Sequence, residues 1–485
     1  MRSRSLAGVL AAIAVALTGT RVSAIALPWF VYVSTGSAAQ TGMVAFAEMA
    51  PYVLVKALSG PIIDRVGPRR VSWVTDVVSA AAAAVVVLLH ALGLLSLGTL
   101  VPLVAVIGAA RGPGDLAKEV MVPEAAERGW VPLERATGLM GVTERLAQTV
   151  GPAAGGAIVL AFGPITSLGL SAGCFGLGSV IVAWALPRGM GQRGQRGQRG
   201  QRALAREPAA GRGVEEGYWR RFRQGIVFLR GQPLLLALIV VVGITNLLDA
   251  AFSQVLAPVW AKESGHGPAV LGLTSGVMGL TAVGGSLVAA AVAHRMRRRP
   301  VFFVAFLLAG PPRFLVLAAD LPVWGIMAVF AVGGFAGGFL NPILGAITYE
   351  RVPRSLLGRV GALQTSLAWA GIPLGGLLAG AAVSLAGLAP VLLACGAAYA
   401  VATGVTGLRP EWREMDRLRG RPAAPAPEES TGPAPSPGAG RGEWRAGCGA
   451  PGAGCGGRRA GGQRVIMPWA RSAAAASAAR SSGGP

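Results

Sequence analysis

Residues 60–70 read Gly60-Pro-Ile-Ile-Asp64-Arg65-Val-Gly67-Pro-Arg69-Arg70 and separate two long apolar stretches. Charges are expensive inside hydrocarbon, so this cluster marks where one apolar run leaves a bilayer and the next one enters. Each residue type has a task there. Gly60 permits close packing near the end of the preceding helix, and Gly67 permits a turn with positive φ. Asp64 can accept hydrogen bonds from a neighbouring helix N-terminus and pair with a guanidinium. Arg65, Arg69 and Arg70 can hold the loop on one side of the membrane and bridge to a second bundle.

Outward from this loop, apolar runs recur as far as about Leu408. About 20 apolar residues cross a hydrocarbon core of ~30 Å as helix. Twelve runs qualify: 6–33, 41–62, 71–95, 97–119, 136–161, 165–186, 233–257, 268–293, 300–319, 322–347, 358–382 and 386–407. With 53% hydrophobic and 14% charged residues, and a mean hydropathy of +0.56, the chain reads as an all-α polytopic membrane protein. A barrel would alternate apolar and polar residues in segments of about ten, whereas Ala80 to Leu89 is unbroken. The first run follows Arg2 and Arg4 but is too long for a signal sequence and lacks a convincing cleavage site, so it reads as helix 1.

A net charge of +22 on 485 residues would point to nucleic acid in a soluble protein. Its placement excludes that partner. One set of connections carries Arg65, Arg69 and Arg70, Lys118 and Arg135, Arg188 to Arg223, Arg295 to Arg299, and Arg351, Arg354 and Arg359. The alternate set, from Ser34–Gln40 to Leu385–Pro390, has almost no Lys or Arg. The positive-inside rule then places both termini in the cytoplasm.

The chain divides into an N-terminal bundle (1–187), a basic linker (188–232), a C-terminal bundle (233–408) and a tail (409–485). The linker holds the tandem repeat Gly191-Gln-Arg to Arg202 and then an amphipathic stretch, Val214 to Arg230. The repeat cannot bury a core and reads as a flexible connector, and the Pro-, Gly- and Ala-rich tail reads as disordered. Cys174 and Cys395 fall in apolar runs, and Cys448 and Cys455 lack the neighbours of a zinc site. No phosphate-binding loop or paired histidine motif occurs, so neither enzyme chemistry nor a cofactor is expected.

The two halves repeat. Gly151-Pro152-Ala-Ala-Gly155-Gly156 matches Gly371-Ile-Pro-Leu-Gly375-Gly376 at an offset of about 220, and the 60–70 loop matches Ala290 to Pro300 at 230. In that second copy His294 stands for the Asp and Arg297 for the Gly. Ionisable residues within spans are functional candidates by default. Arg21 and Glu48 lie at comparable depth in spans 1 and 2 and are placed to pair; Asp76, Arg111, Asp115, Glu144, Asp249 and Arg313 lie in spans 3, 4, 5, 7 and 9. A carboxylate that titrates during a transport cycle must be desolvated yet reach water from each side in turn. By depth, Glu48 and Asp249 are best placed.

The motif G-x-x-x-D-R-x-G-x-R-R, the G-P-x-x-G-G core in span 5 and twelve spans in two halves together resemble the major facilitator superfamily, over about residues 6–408. That resemblance implies two pseudo-symmetric six-helix bundles. It implies a conformational switch at Gly60, Asp64, Arg65, Gly67, Arg69 and Arg70, and an exporter motif at Gly151, Pro152, Gly155 and Gly156. Arg111 with Gly114 resembles an arrangement tied to proton coupling, although the spacing departs and Pro113 intrudes. The function implied is secondary active transport: a monomeric, proton-coupled exporter of small amphipathic or drug-like molecules in the plasma (inner) membrane. Export of a specific metabolite such as a siderophore, or a non-transporting sensor or scaffold role, stays open at this level.

Overall fold

The computed structural model describes residues 4–188, 190, 226–292, 296–319, 321–352, 357–408, 412 and 415. The Gly-Gln-Arg repeat, residues 214–225 of the amphipathic stretch, His294, Arg295, Arg354, Cys448, Cys455 and nearly all of the tail lie outside them. Among the described residues there is no strand. Twelve crossings follow in chain order: α1 (Arg4–Thr35), α2 (Ala38–Leu58), α3 (Pro68–Ala91), α4 (Leu97–Gly129), α5 (133–162) and α6 (164–185). Then come α7 (Pro233–Glu263), α8 (Gly267–Val292), α9 (Arg298–Ala318), α10 (Val323–Thr348), α11 (Leu357–Trp369, continued by Ile372–Ala386) and α12 (Leu388–Leu408).

The sequence spans and the helices agree in number and order, with one difference in kind. α5 and α6 are joined without a loop. The chain reverses at Gly163 alone, at φ 80° and ψ 164°, a conformation open to glycine because it has no Cβ. Gly387 makes the same single-residue turn between α11 and α12, at φ 80°. These turns, with residues 36–37, 92–96 and 264–266, lie on one face, called here the far face. The 60–70 segment, the start of α1 and the end of α12 share the other, the loop face.

Local breaks come from recognisable chemistry. Pro28, Pro51, Pro113 and Pro152 sit inside α1, α2, α4 and α5, where neighbouring helices compensate the lost backbone bond. A π turn at Phe252–Leu256 precedes Pro258 in α7. α9 breaks at Gly310, before Pro311-Pro312, and Tyr399 of α12 occupies the space a side chain there would need.

Between the halves close packing lies on glycine. A Cβ on Gly156 of α5 would stand 2.9 Å from the backbone of Gly272 in α8, and Gly42 of α2 meets Gly376 and Gly380 of α11. Small residues at such crossings let backbones approach where lipid offers no hydrophobic drive. Both seams lie in the far-face half. Past α12, Trp412 and Met415 are buried, with the Trp412 ring 5.6 Å from that of Phe302 in α9. Trp412, in the segment read as tail, therefore packs on α9 of the C-terminal half.

Candidate functional site

Two chambers lie between the halves. The deeper, of about 520 Å3, is lined by Arg21, Glu48, Arg111, Asp249 and Arg313 together with Met49, Phe252, Met278, Phe330 and Trp369. The outer, of about 720 Å3, extends toward the loop face past Lys56, Glu119 and Glu144. Leu17, Tyr52, Val53, Asp115 and Trp369 line both, so the two are continuous. On the far face the path is shut. Tyr32 Oη of α1 donates to Glu263 Oε1 of α7 at 2.9 Å, and Lys262 Nζ reaches the carbonyls of Tyr32 and Val33 at 3.4 Å.

The charged wall has a regular form. α2 and α4 both run from the far face to the loop face, so partners keep a constant separation of 63 residues. Arg111 Nη1 donates to Glu48 Oε1 at 2.6 Å, Tyr52 Oη to Asp115 Oδ2 at 3.3 Å, and Lys56 Nζ to Glu119 Oε1 at 3.4 Å. Glu48, Tyr52 and Lys56 are four apart on one helix, as are Arg111, Asp115 and Glu119 on the other, which stacks each set on one face. The rungs climb by about 6 Å each at 1.5 Å per residue. The deepest is the driest, its side chains 8% and 10% exposed, against 21% and 41% for Lys56 and Glu119. Cations also sit over rings: Arg111 over Tyr52 at 5.2 Å, and Lys56 over Trp369 of α11 at 5.3 Å.

The backbone explains the ladder. A Cβ on Gly112 of α4 would lie 2.7 Å from the carbonyl of Tyr52, and Gly108 meets that of Glu48. Two glycines thus bring α4 against α2, and the flanking side chains cannot avoid one another. In the other half Arg313, in the first turn after the α9 break, is hydrogen bonded to Asp249 of α7 and lies over the rings of Phe252, Phe314 and Tyr399 at 5.0–5.6 Å.

The expected pairing of Arg21 with Glu48 is not what forms. Glu48 is taken by Arg111, whose rigid fork arrives from the helix packed directly against α2. Arg21 projects into the deep chamber, and its Nε has no partner. Its stem is fixed by α5, since a Cβ on Gly151 would lie 2.6 Å from Arg21 Cβ. Gly155 packs on Val22 of α1, and Gly156 on α8. The Gly-Pro motif is therefore a double saddle, seating α5 on α1 with two glycines and on α8 with the third. Asp76 lies outside both chambers and accepts from Lys118 Nζ at 2.7 Å. Lys118 and Glu119 were not among the site candidates; the signal that finds Glu119 is the row Arg111, Asp115, Glu119 at four-residue spacing in α4.

In the 60–70 segment, residues Gly60–Val66 form a short helix ended by Gly67 at φ 94°. Gly60 does not pack closely: a Cβ there would meet nothing within 4 Å. Within the segment it is Ile63 that packs inward, against Val71 and Ala117. Asp64, Arg65 and Arg70 are exposed. Arg69 turns inward within its own half, donating from Nε to the Leu186 carbonyl at 2.9 Å and from Nη2 to that of Ala183 at 2.5 Å. Where the chambers open between the bundles, Arg69 thus clips α3 to the end of α6 rather than bridging the gap.

Two helical halves around a charged chamber, open toward one face and sealed at the other, define a polytopic membrane transporter. The chain belongs to the Major Facilitator Superfamily, whose profile matches residues 9–254 and 239–447. It is 33% identical over 415 residues to "Multidrug efflux pump Tap" of Mycobacterium tuberculosis, covering 84% of this chain and 94% of that one. The pump of the same name from Mycolicibacterium fortuitum is 29% identical, covering 82% and 94%. Solved structures of the nucleoside transporter NupG (TM-score 0.64, 12% identity, 86% and 99% covered) and of the peptide transporter POT in complex with sulfate (TM-score 0.62, 13% identity, 85% and 95% covered) share the fold. The chain is thus a transporter and not an enzyme.

Proposed function

We propose that this transporter is a proton-coupled exporter of small amphipathic or drug-like molecules, acting as a monomer by alternating access in the plasma (inner) membrane with both termini in the cytoplasm. The observation that carries this reading is the α2–α4 ladder. It lines the wall from the deeper chamber to the loop-face mouth, and the basic connections on that face support a cytoplasmic mouth. The aromatic and Met-lined side of the deep chamber suits an apolar body, while the ladder and Arg21 suit a polar end. The similarity to multidrug efflux pumps supports export of such compounds.

In the cycle, substrate enters from the loop face and displaces water around Glu48 and Arg111. The halves then close over the mouth and open at the Tyr32–Glu263 contact. A proton from outside adds to the Glu48 carboxylate, breaks the charge pair and frees Arg111 to turn toward Asp115. With the chamber's charge changed, substrate departs outward. On return, Glu48 gives its proton to water along Asp115 and Glu119, and Arg111 re-forms the pair. A ligand drives such a cycle only through its different affinity for the two states. Asp64, Arg65 and Arg70 act as the switch, catching the opposite bundle while the mouth is closed.

Proteoliposomes carrying a pH-sensitive dye, challenged with a panel of dyes and drugs, test the coupling. Compound-driven proton movement is expected for the native chain and absent for Glu48→Gln, with compound binding retained. No proton movement with any compound would remove the proton-coupled reading. Asp64→Asn is expected to insert normally and lower flux at least about tenfold, a loss of ~1.4 kcal/mol in the balance of states; native flux would remove the switch role.

A further inference from the structure

A third cavity, of about 290 Å3, lies outside the transport path at the loop-face ends of α3 and α6. It is lined by Arg69, Arg70 and Arg188 together with Val66, Gly67, Trp73 and Met190, and no carboxylate among the described residues lines it. Three guanidiniums crowding one hollow repel one another unless an anion joins them. Arg69 already donates to the carbonyls of Ala183 and Leu186, which holds its charge in place. Arg70 and Arg188 are exposed, and neither side chain forms a hydrogen bond or ion pair among the described residues.

The height of the cavity in the membrane is set by its neighbours. Trp184, 88% exposed at the end of α6, and Trp73, 36% exposed at the start of α3, are indoles of the kind that settle at the headgroup level. Val66 faces outward beside them at 44%. The hollow therefore presents both guanidiniums and apolar side chains at the level of the headgroups. Arginine forks match a phosphate's oxygens two at a time.

We propose that this cavity binds the phosphodiester headgroup of an anionic phospholipid, which bridges the switch loop to the end of α6. A soluble phosphate shares the oxygen chemistry but leaves the exposed Val66 and Trp73 side chains uncovered, so the lipid is the better fit. Occupancy joins α3 to the start of the linker and sets how freely the 60–70 segment moves.

The test uses the purified full chain in phosphatidylcholine nanodiscs with and without phosphatidylglycerol, read by thermal unfolding, and native mass spectrometry of lipid retained after detergent extraction. Phosphatidylglycerol is expected to raise the melting temperature and to be retained. Arg70→Ala/Arg188→Ala is expected to weaken retention about thirtyfold, as two guanidiniums near a headgroup would. Both residues are exposed, so folding is not at stake. Arg135→Ala, an exposed arginine on the same face outside the cavity, is expected to leave retention unchanged. An equal loss in Arg135→Ala would mean diffuse surface charge and overturn the site. Equal stabilisation by inorganic phosphate in phosphatidylcholine alone would assign the cavity to a soluble anion and overturn the lipid.

Discussion

The α2–α4 contact and its counterpart α8–α10 use one backbone design for two purposes. Gly108 and Gly112 of α4 press on the backbone at Glu48, Tyr52 and Lys56; Gly334 and Gly338 of α10 press on it at Met278, Ala282 and Ser286. The offset is 230 for each partner residue and 226 for each glycine. The side chains diverge completely. The first pair carries three polar rungs, whereas the second, among the described residues, has one hydrogen bond, from Ser286 Oγ to the Gly338 carbonyl at 2.9 Å. At the positions of Arg111 and Asp115 stand Gly337 and Asn341. The glycine seam alone thus suffices to hold two such helices together. Burying a charge costs several kcal/mol, so charges that packing does not require point to function. In the C-terminal half the buried Arg313 of α9 pairs with the partly exposed Asp249 of α7, and both face the same chamber.

Breaking the deepest rung should have the largest effect. Arg111→Ala leaves the Glu48 carboxylate buried without its partner and is expected to lower stability by about 3–5 kcal/mol, read as thermal unfolding in detergent, with flux at background. Neutralising both, as Glu48→Gln/Arg111→Gln, should regain most of the stability but none of the proton-coupled flux. If flux returned as well, the ladder would be a structural element like its counterpart.

The seam offers the converse experiment. A Cβ on Gly338 would stand 2.6 Å from the Ser286 nitrogen, so Gly338→Leu is expected to cost about 1–3 kcal/mol by overpacking. Its residual flux should track the fraction folded and keep its proton stoichiometry; a changed stoichiometry would show that α8–α10 shares in coupling. The smallest effect is expected at the outermost rung, where water screens the pair. Lys56→Gln should change stability by only about 0.5 kcal/mol, with transport slowed more than stability falls. A loss as large as that of Arg111→Ala would contradict the graded exposure of the ladder.

Most of the fold was legible in the chain because a bilayer leaves few solutions: apolar length gives the crossings, and arginine placement gives their alternation. The Gly151–Gly156 motif and its twin at Gly371–Gly376 also announced the two halves. The site was legible in composition only. Arg21, Glu48, Arg111 and Asp249 line the deep chamber, but the pairing depends on which helices touch and at what height. Equal depth suggested Arg21 for Glu48, whereas the glycines of α4 brought Arg111 closer. The signal that was present, two rows of polar residues at four-residue spacing with a common offset, becomes readable only once α2 and α4 are taken as parallel neighbours. Gly60 shows the opposite limit, a glycine in a motif whose surroundings need none.

The single-residue reversals at Gly163 and Gly387, with the brief turns at 36–37, 92–96 and 264–266, also bear on handling the protein. Antibodies, proteases and inserted tags need a protruding strand of several residues, and these turns present almost none. Inserting an epitope at Gly163 would lengthen a connection that fixes α5 against α6, so reporters of sidedness belong on the loop face.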